Sequence, residues 1–133
     1  MVHERQTPSG PRRLAYLAFW ERGLQVVDVT DPAQPRRIGA SAPTPTRWTH
    51  SVWVDGDYAY VGEESYKGLV RVFDVSDPTA PREVGQMHSA ENDAISAHNV
   101  QVANGFVYAS WYQDGIRVFP ARGPADPREV AYF

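Results

Sequence analysis

Over residues 50–54 (HSVWV) and 98–102 (HNVQV), apolar side chains alternate with others at period two, the pattern of a strand with one buried face. Asp-Gly at 55–56 and Asn-Gly at 104–105 follow, supplying the φ > 0 residues of a tight hairpin turn. A second strand is predicted at 58–62 and at 106–110, then a polar loop and a glycine, Gly68 or Gly115. The third strand spans 70–75 or 116–119. After it, a turn stiffened by two prolines fixes φ twice and removes two ladder donors. A short, half-polar fourth strand closes the unit at 82–86 or 128–132, as suits an outer edge. A helical reading fails because the valines alternate at period two and 11 prolines punctuate the chain.

The unit repeats. GLQVVDVTDPAQPRRIGA starts at Gly23, GLVRVFDVSDPTAPREVGQM at Gly68 and GIRVFPARGPADPREVAYF at Gly115. Pro35, Pro81 and Pro127 stand 46 residues apart, whereas the glycines are spaced 45 and 47. The second copy therefore carries one extra residue before its Asp-Pro, the product of a bulge or a lengthened loop. Upstream, His50 matches His98, Val52 matches Val100 and Tyr60 matches Tyr108. The first copy retains only LAYLAFWER, with Tyr16 in the Tyr60 position. Four antiparallel strands in about 46 residues match one propeller blade. The expected fold is all-β: about three four-stranded antiparallel blades at residues 12–42, 43–88 and 89–133, the first lacking its inner strand. Residues 1–11 are expected to be a flexible leader to them.

Composition narrows the function classes. A net charge of −3 argues against a general nucleic-acid binder, which needs a basic surface to displace counterions. The absence of cysteine excludes disulfides, thiolate metal sites and cysteine nucleophiles. No apolar run approaches the roughly 20 residues of a membrane span, and the polar, basic start MVHERQTPSGPRR does not read as a signal peptide.

The repeat resembles the LVIVD-repeat family, whose blades carry G-L-x-V-x-D-V-S-D-P-x-x-P after a Y-A-Y-V-type strand. The second copy matches at Gly68, Val72, Asp74, Val75, Ser76, Asp77, Pro78 and Pro81. Gly23, Leu24, Val26, Asp28, Val29, Asp31, Pro32 and Pro35 match in the first. The third departs from the pattern over residues 119–123, where its turn is expected to be rebuilt. The resemblance implies a β-propeller, often in exported or surface-attached microbial proteins, and so an extracellular or cell-surface location. It implies no particular reaction, because propellers host many functions. Three blades are too few for a closed ring, which typically has four to eight. Two expectations follow: the sequence is part of a longer chain, or a homo-oligomer completes the ring.

The loops joining strands two and three, with the linkers between blades, share one face, and a ligand is expected there. The candidate ligand contacts are Trp20, Tyr66, Trp111, Tyr112, Gln113 and Asp114. Exposed aromatics beside carboxylates and amides suit sugar stacking or a peptide grip. Tyr16, Tyr60 and Tyr108 recur within strand two and read as packing between blades, while Trp48 and Trp53 fit either role. His50 and His98 open equivalent strands and should point to the channel mouth, where Glu63, Glu64 or Asp93 could join them on a divalent metal. The competing role for both is to hydrogen-bond a neighbouring loop. Glu63 and Glu64 cannot face one way in an extended stretch, and nothing in the sequence holds Glu63 and Asp114 as a glycosidase pair. Asp28 and Asp74 are expected to bond the backbone of the proline turn. The leading expectation is a non-enzymatic propeller module, without cofactor, that binds a protein or carbohydrate. The alternative is a metal-dependent hydrolase or lyase built on His50 and His98.

Overall fold

A computed structural model describes residues 1–7, 10–90, 96–121 and 127–133 and builds the alternation into three four-stranded antiparallel sheets. The first sheet contains β1 (Val2–Thr7), β2 (Gly10–Ala18), β3 (Leu24–Asp28) and β4 (Arg36–Ala40). The second contains β5 (Thr49–Asp55), β6 (Tyr58–Glu63), β7 (Val70–Asp74) and β8 (Arg82–Met87). The third contains β9 (Val100–Ala103), β10 (Phe106–Ser110), β11 (Ile116–Pro120) and the two-residue β12 (Ala131–Tyr132). Each sheet meanders in chain order from first strand to fourth, as a propeller blade does. The first strands lie inside: β5 packs against β2 and β9, while β4, β8 and β12 are outer edges. Among the described residues no helix is long and apolar enough to cross a membrane.

The first blade differs from the sequence reading, which left it incomplete. β1 supplies its inner strand, in register from Val2 opposite Ala15 to Thr7 opposite Gly10, so the segment expected to be flexible forms a hairpin arm. Polar contacts hold it. The Arg5 guanidinium pairs with Asp57 and donates to the Ser76 carbonyl, both in the second blade. The rebuilt turn expected at 119–123 falls partly outside the described residues.

The extra residue of the second copy is a lengthened loop. The strand-two to strand-three loop closes with an N–H bond from Phe19 to the Gly23 carbonyl in the first copy and from Trp111 to that of Gly115 in the third. In the second copy Glu63 donates instead to Leu69, one position past Gly68. Gly23 and Gly115 take positive φ (+72° and +74°), whereas Lys67 takes it in the second copy, at +60°. Gly68 is needed for space: a Cβ there would stand 2.1 Å from the Glu63 carbonyl oxygen.

Two apolar clusters glue the blades together. Leu14, Tyr16, Leu24 and Val26 of the first meet Val54, Ala59, Val61 and Phe73 of the second. Tyr60, Val70, Val72 and Met87 of the second meet Val100, Val107, Trp111 and Phe119 of the third. Tyr16 and Tyr60 therefore pack between blades as expected, but Tyr108 is 36% exposed because no described blade covers it. The proline turns also form as read. Asp28 accepts the Thr30 N–H at 2.9 Å and Asp74 the Ser76 N–H at 2.9 Å. The hydroxyls of Thr30 and Ser76, with these N–H groups, hold both carboxyls below the usual carboxylate range.

Tyr60 makes the blade contact sensitive to alkali. Its buried hydroxyl donates to the Ala121 carbonyl at 2.6 Å, and burial pushes its pKa up to about 12 from an ordinary 10.0. The folded state thus keeps the proton after the unfolded chain has lost it. The resulting stabilisation is complete below pH 10 and disappears as pH rises through about 12, on the order of 2–3 kcal/mol. Urea titrations at pH 8, 10 and 12 should show this loss, and Tyr60→Phe should flatten it while costing about 1 kcal/mol at neutral pH. An unchanged alkaline profile in Tyr60→Phe would count against the assignment.

Candidate functional site

The strand-two ends come together above the inner strands. Trp20, Glu64 and Tyr112 occupy one equivalent position in the three copies, two residues beyond Ala18, Gly62 and Ser110. Between them lie His50, on β5, and His98, just before β9. The rings form a continuous row. Trp48 meets Trp20 edge-on at 5.5 Å between centroids, and Trp20 meets His50 at 5.6 Å. His50 stacks on His98 at 4.3 Å, and His98 meets Tyr112 at 5.3 Å.

Backbone bonds position this row. Trp20 N–H donates to Thr49 O at 3.0 Å, tying the first blade's loop to the second blade's inner strand. The His98 N–H donates to Ser110 O at 2.8 Å, and its carbonyl accepts the Ser51 hydroxyl at 2.6 Å. His98 comes this close because Gly62 has no side chain: a Cβ there would stand 2.7 Å from the His98 oxygen. Trp20 and Tyr112 themselves hold positive φ, +37° and +26°. For bulky residues that region costs on the order of 1–3 kcal/mol, and such strain gathers at functional sites.

Glu64 is the electrostatic centre. One carboxylate oxygen lies 3.2 Å from His50 Nδ1, the other 3.6 Å from His98 Nε2. The Tyr112 hydroxyl donates to the same group. That bond, helped by the two imidazoles, holds the Glu64 carboxyl below the usual range and raises the Tyr112 phenol. The three side chains are half-buried, and their ligating atoms lie within 4.8 Å of one another.

The sequence candidates divide. Trp20 (41% exposed) and Tyr112 (51%) stand on the face with the two histidines, as expected. Tyr66 is exposed too, but Lys67 is the neighbour of its ring. Gln113 and Asp114 line a separate cleft with Arg117, Tyr132 and Phe133. Asp114 there accepts the Ser89 hydroxyl at 2.5 Å. Trp111, expected as a ligand contact, is a correction: it is 1% exposed and packs 6.1 Å from Phe119 in the core. Glu63, a proposed companion of the histidines, is 0% exposed and paired with Arg71 at 2.9 Å. Buried on the opposite side of the strand from Glu64, it can join neither the histidines nor a glycosidase pair with Asp114. Asp93 lies outside the described residues.

Trp48, left undecided by the sequence, completes the row, and Glu64, one of three carboxylates considered, is its centre. The signal for Glu64 was available: it aligns with Trp20 and Tyr112, both already singled out.

Meandering four-stranded blades packed face to face, with their chemistry collected at the strand-two ends, define a propeller-type repeat protein. The LVIVD repeat family model matches residues 14–40 and 46–88, more than half of the sequence, and the chain belongs to that family. No curated protein matches it.

Proposed function

We propose that the protein is a non-enzymatic binding module whose ligand is a carbohydrate, held along the row Trp48, Trp20, His50, His98 and Tyr112. The row itself carries this reading: five ring side chains from three blades, no neighbours more than 5.6 Å apart, with tryptophan and tyrosine exposed. Exposed indole and phenol rings stack on the apolar faces of sugars, while imidazole and carboxylate take up hydroxyl hydrogen bonds.

A glycan array followed by calorimetry with the best oligosaccharide tests the reading. Trp20→Ala and Tyr112→Ala should each weaken binding about tenfold to thirtyfold without altering the far-ultraviolet spectrum. Binding indifferent to both substitutions, or confined to peptides, would remove carbohydrate as the ligand class.

A further inference from the structure

We propose that His50, Glu64 and His98 form a binding site for a divalent transition metal, zinc being the simplest occupant. This goes beyond the carbohydrate reading and does not depend on it. The donor set carries the argument: two imidazoles and one carboxylate, contributed by two blades, converge within 4.8 Å. In tetrahedral zinc, bonds of roughly 2.0–2.1 Å place neighbouring donors about 3.3 Å apart. The histidine–glutamate separations are close to that edge, 3.2 Å from His50 Nδ1 to one Glu64 oxygen and 3.6 Å from His98 Nε2 to the other. Binding one ion through a single Glu64 oxygen requires that carboxylate to turn toward both imidazoles.

The support around the donors is in place. Glu64 N–H donates to Trp48 O at 2.9 Å, and His98 is pinned through both its N–H and its carbonyl. Tyr112 donates to the Glu64 carboxylate, the kind of outer hydrogen bond that orients a metal-binding carboxylate. The chemistry also selects the class of ion. Calcium and magnesium take oxygen ligands, whereas two imidazoles with one carboxylate suit zinc and its first-row neighbours. Three protein ligands would leave a fourth position open to water or a ligand atom, beside Trp20 and Tyr112.

The test uses the full chain stripped with chelator and no carbohydrate. Zinc is titrated by calorimetry, and cobalt(II) by visible absorption. The expected result is one equivalent of zinc and the strong visible bands of low-coordinate cobalt. Glu64→Gln, which keeps the shape of the side chain, should weaken zinc binding at least about tenfold. The His50→Ala/His98→Ala double variant should lose the cobalt bands with its circular dichroism unchanged. Zinc binding that persists in the double variant would place the metal elsewhere, at His3 or His88 for example, and overturn the proposal. So would the absence of binding to the wild-type chain. Carbohydrate binding by the metal-free chain bears only on the earlier reading.

Discussion

Trp111→Ala is expected to unfold the third blade rather than weaken a binding surface. The indole is buried against Phe119, in the cluster that joins the second and third blades. Emptying such a site removes the transfer free energy and leaves a cavity, a combined cost of about 3–5 kcal/mol. Domains of ordinary size are stable by about 5–15 kcal/mol, so most of the margin could go in this one change. Urea unfolding followed by circular dichroism measures it: the midpoint should fall steeply for Trp111→Ala and much less for Trp111→Phe. Tyr112→Ala, one residue away and exposed, should leave the midpoint nearly unchanged. A Trp111→Ala protein with a wild-type midpoint would show that the indole carries no packing energy.

The second large effect belongs to Arg71. Its guanidinium reaches Glu63 at 2.9 Å and Glu83 at 2.8 Å, and the Glu63 side chain is wholly buried. Thr46 donates a further hydrogen bond to Glu63. Arg71→Met leaves the buried Glu63 without its cation in a low-dielectric site, a loss of roughly 3–5 kcal/mol. Replacing both members, as Arg71→Met with Glu63→Leu, should recover much of that loss, because the desolvation penalty goes with the charges. The double-mutant cycle in urea is the measurement. Two single variants and a double variant with additive effects would mean that the pair is not coupled.

The blades were legible because their signals are local. The Asp-Gly and Asn-Gly turns, the alternating valines and the paired prolines each specify a neighbouring stretch, and together they fix the repeat. Trp111 escapes the sequence reading because it stands one residue past the end of strand two, where loop character is expected. Carrying the alternation one step further puts Val107, Ala109 and Trp111 on one face, all buried. The same step puts Glu63 on the inside with Ala59 and Val61, against the expectation that so polar a residue stays in water. β1 escaped notice for a different reason. VHERQT has almost no apolar alternation; besides its ladder with β2, it is tied to the second blade by the Arg5 contact with Asp57 and Ser76, more than 50 positions away. The site was half legible: each histidine could be read from the repeat, but their meeting on Glu64 depends on how closely two blades approach at Gly62.

The exposed flank of the third blade also bears on assembly. In the first two blades the strand-two tyrosine is sealed by the opposite side of the next blade, so the contact is head-to-tail and never self-complementary. Two such flanks placed against each other would make a different contact from the one that joins the blades. A further unit placed over Tyr108 would seal it and present a fresh tyrosine flank of its own, and addition ends only when the curvature brings the last flank back to the Leu17 side of the first blade. In a propeller the angle between adjacent blades sets how many blades close the ring.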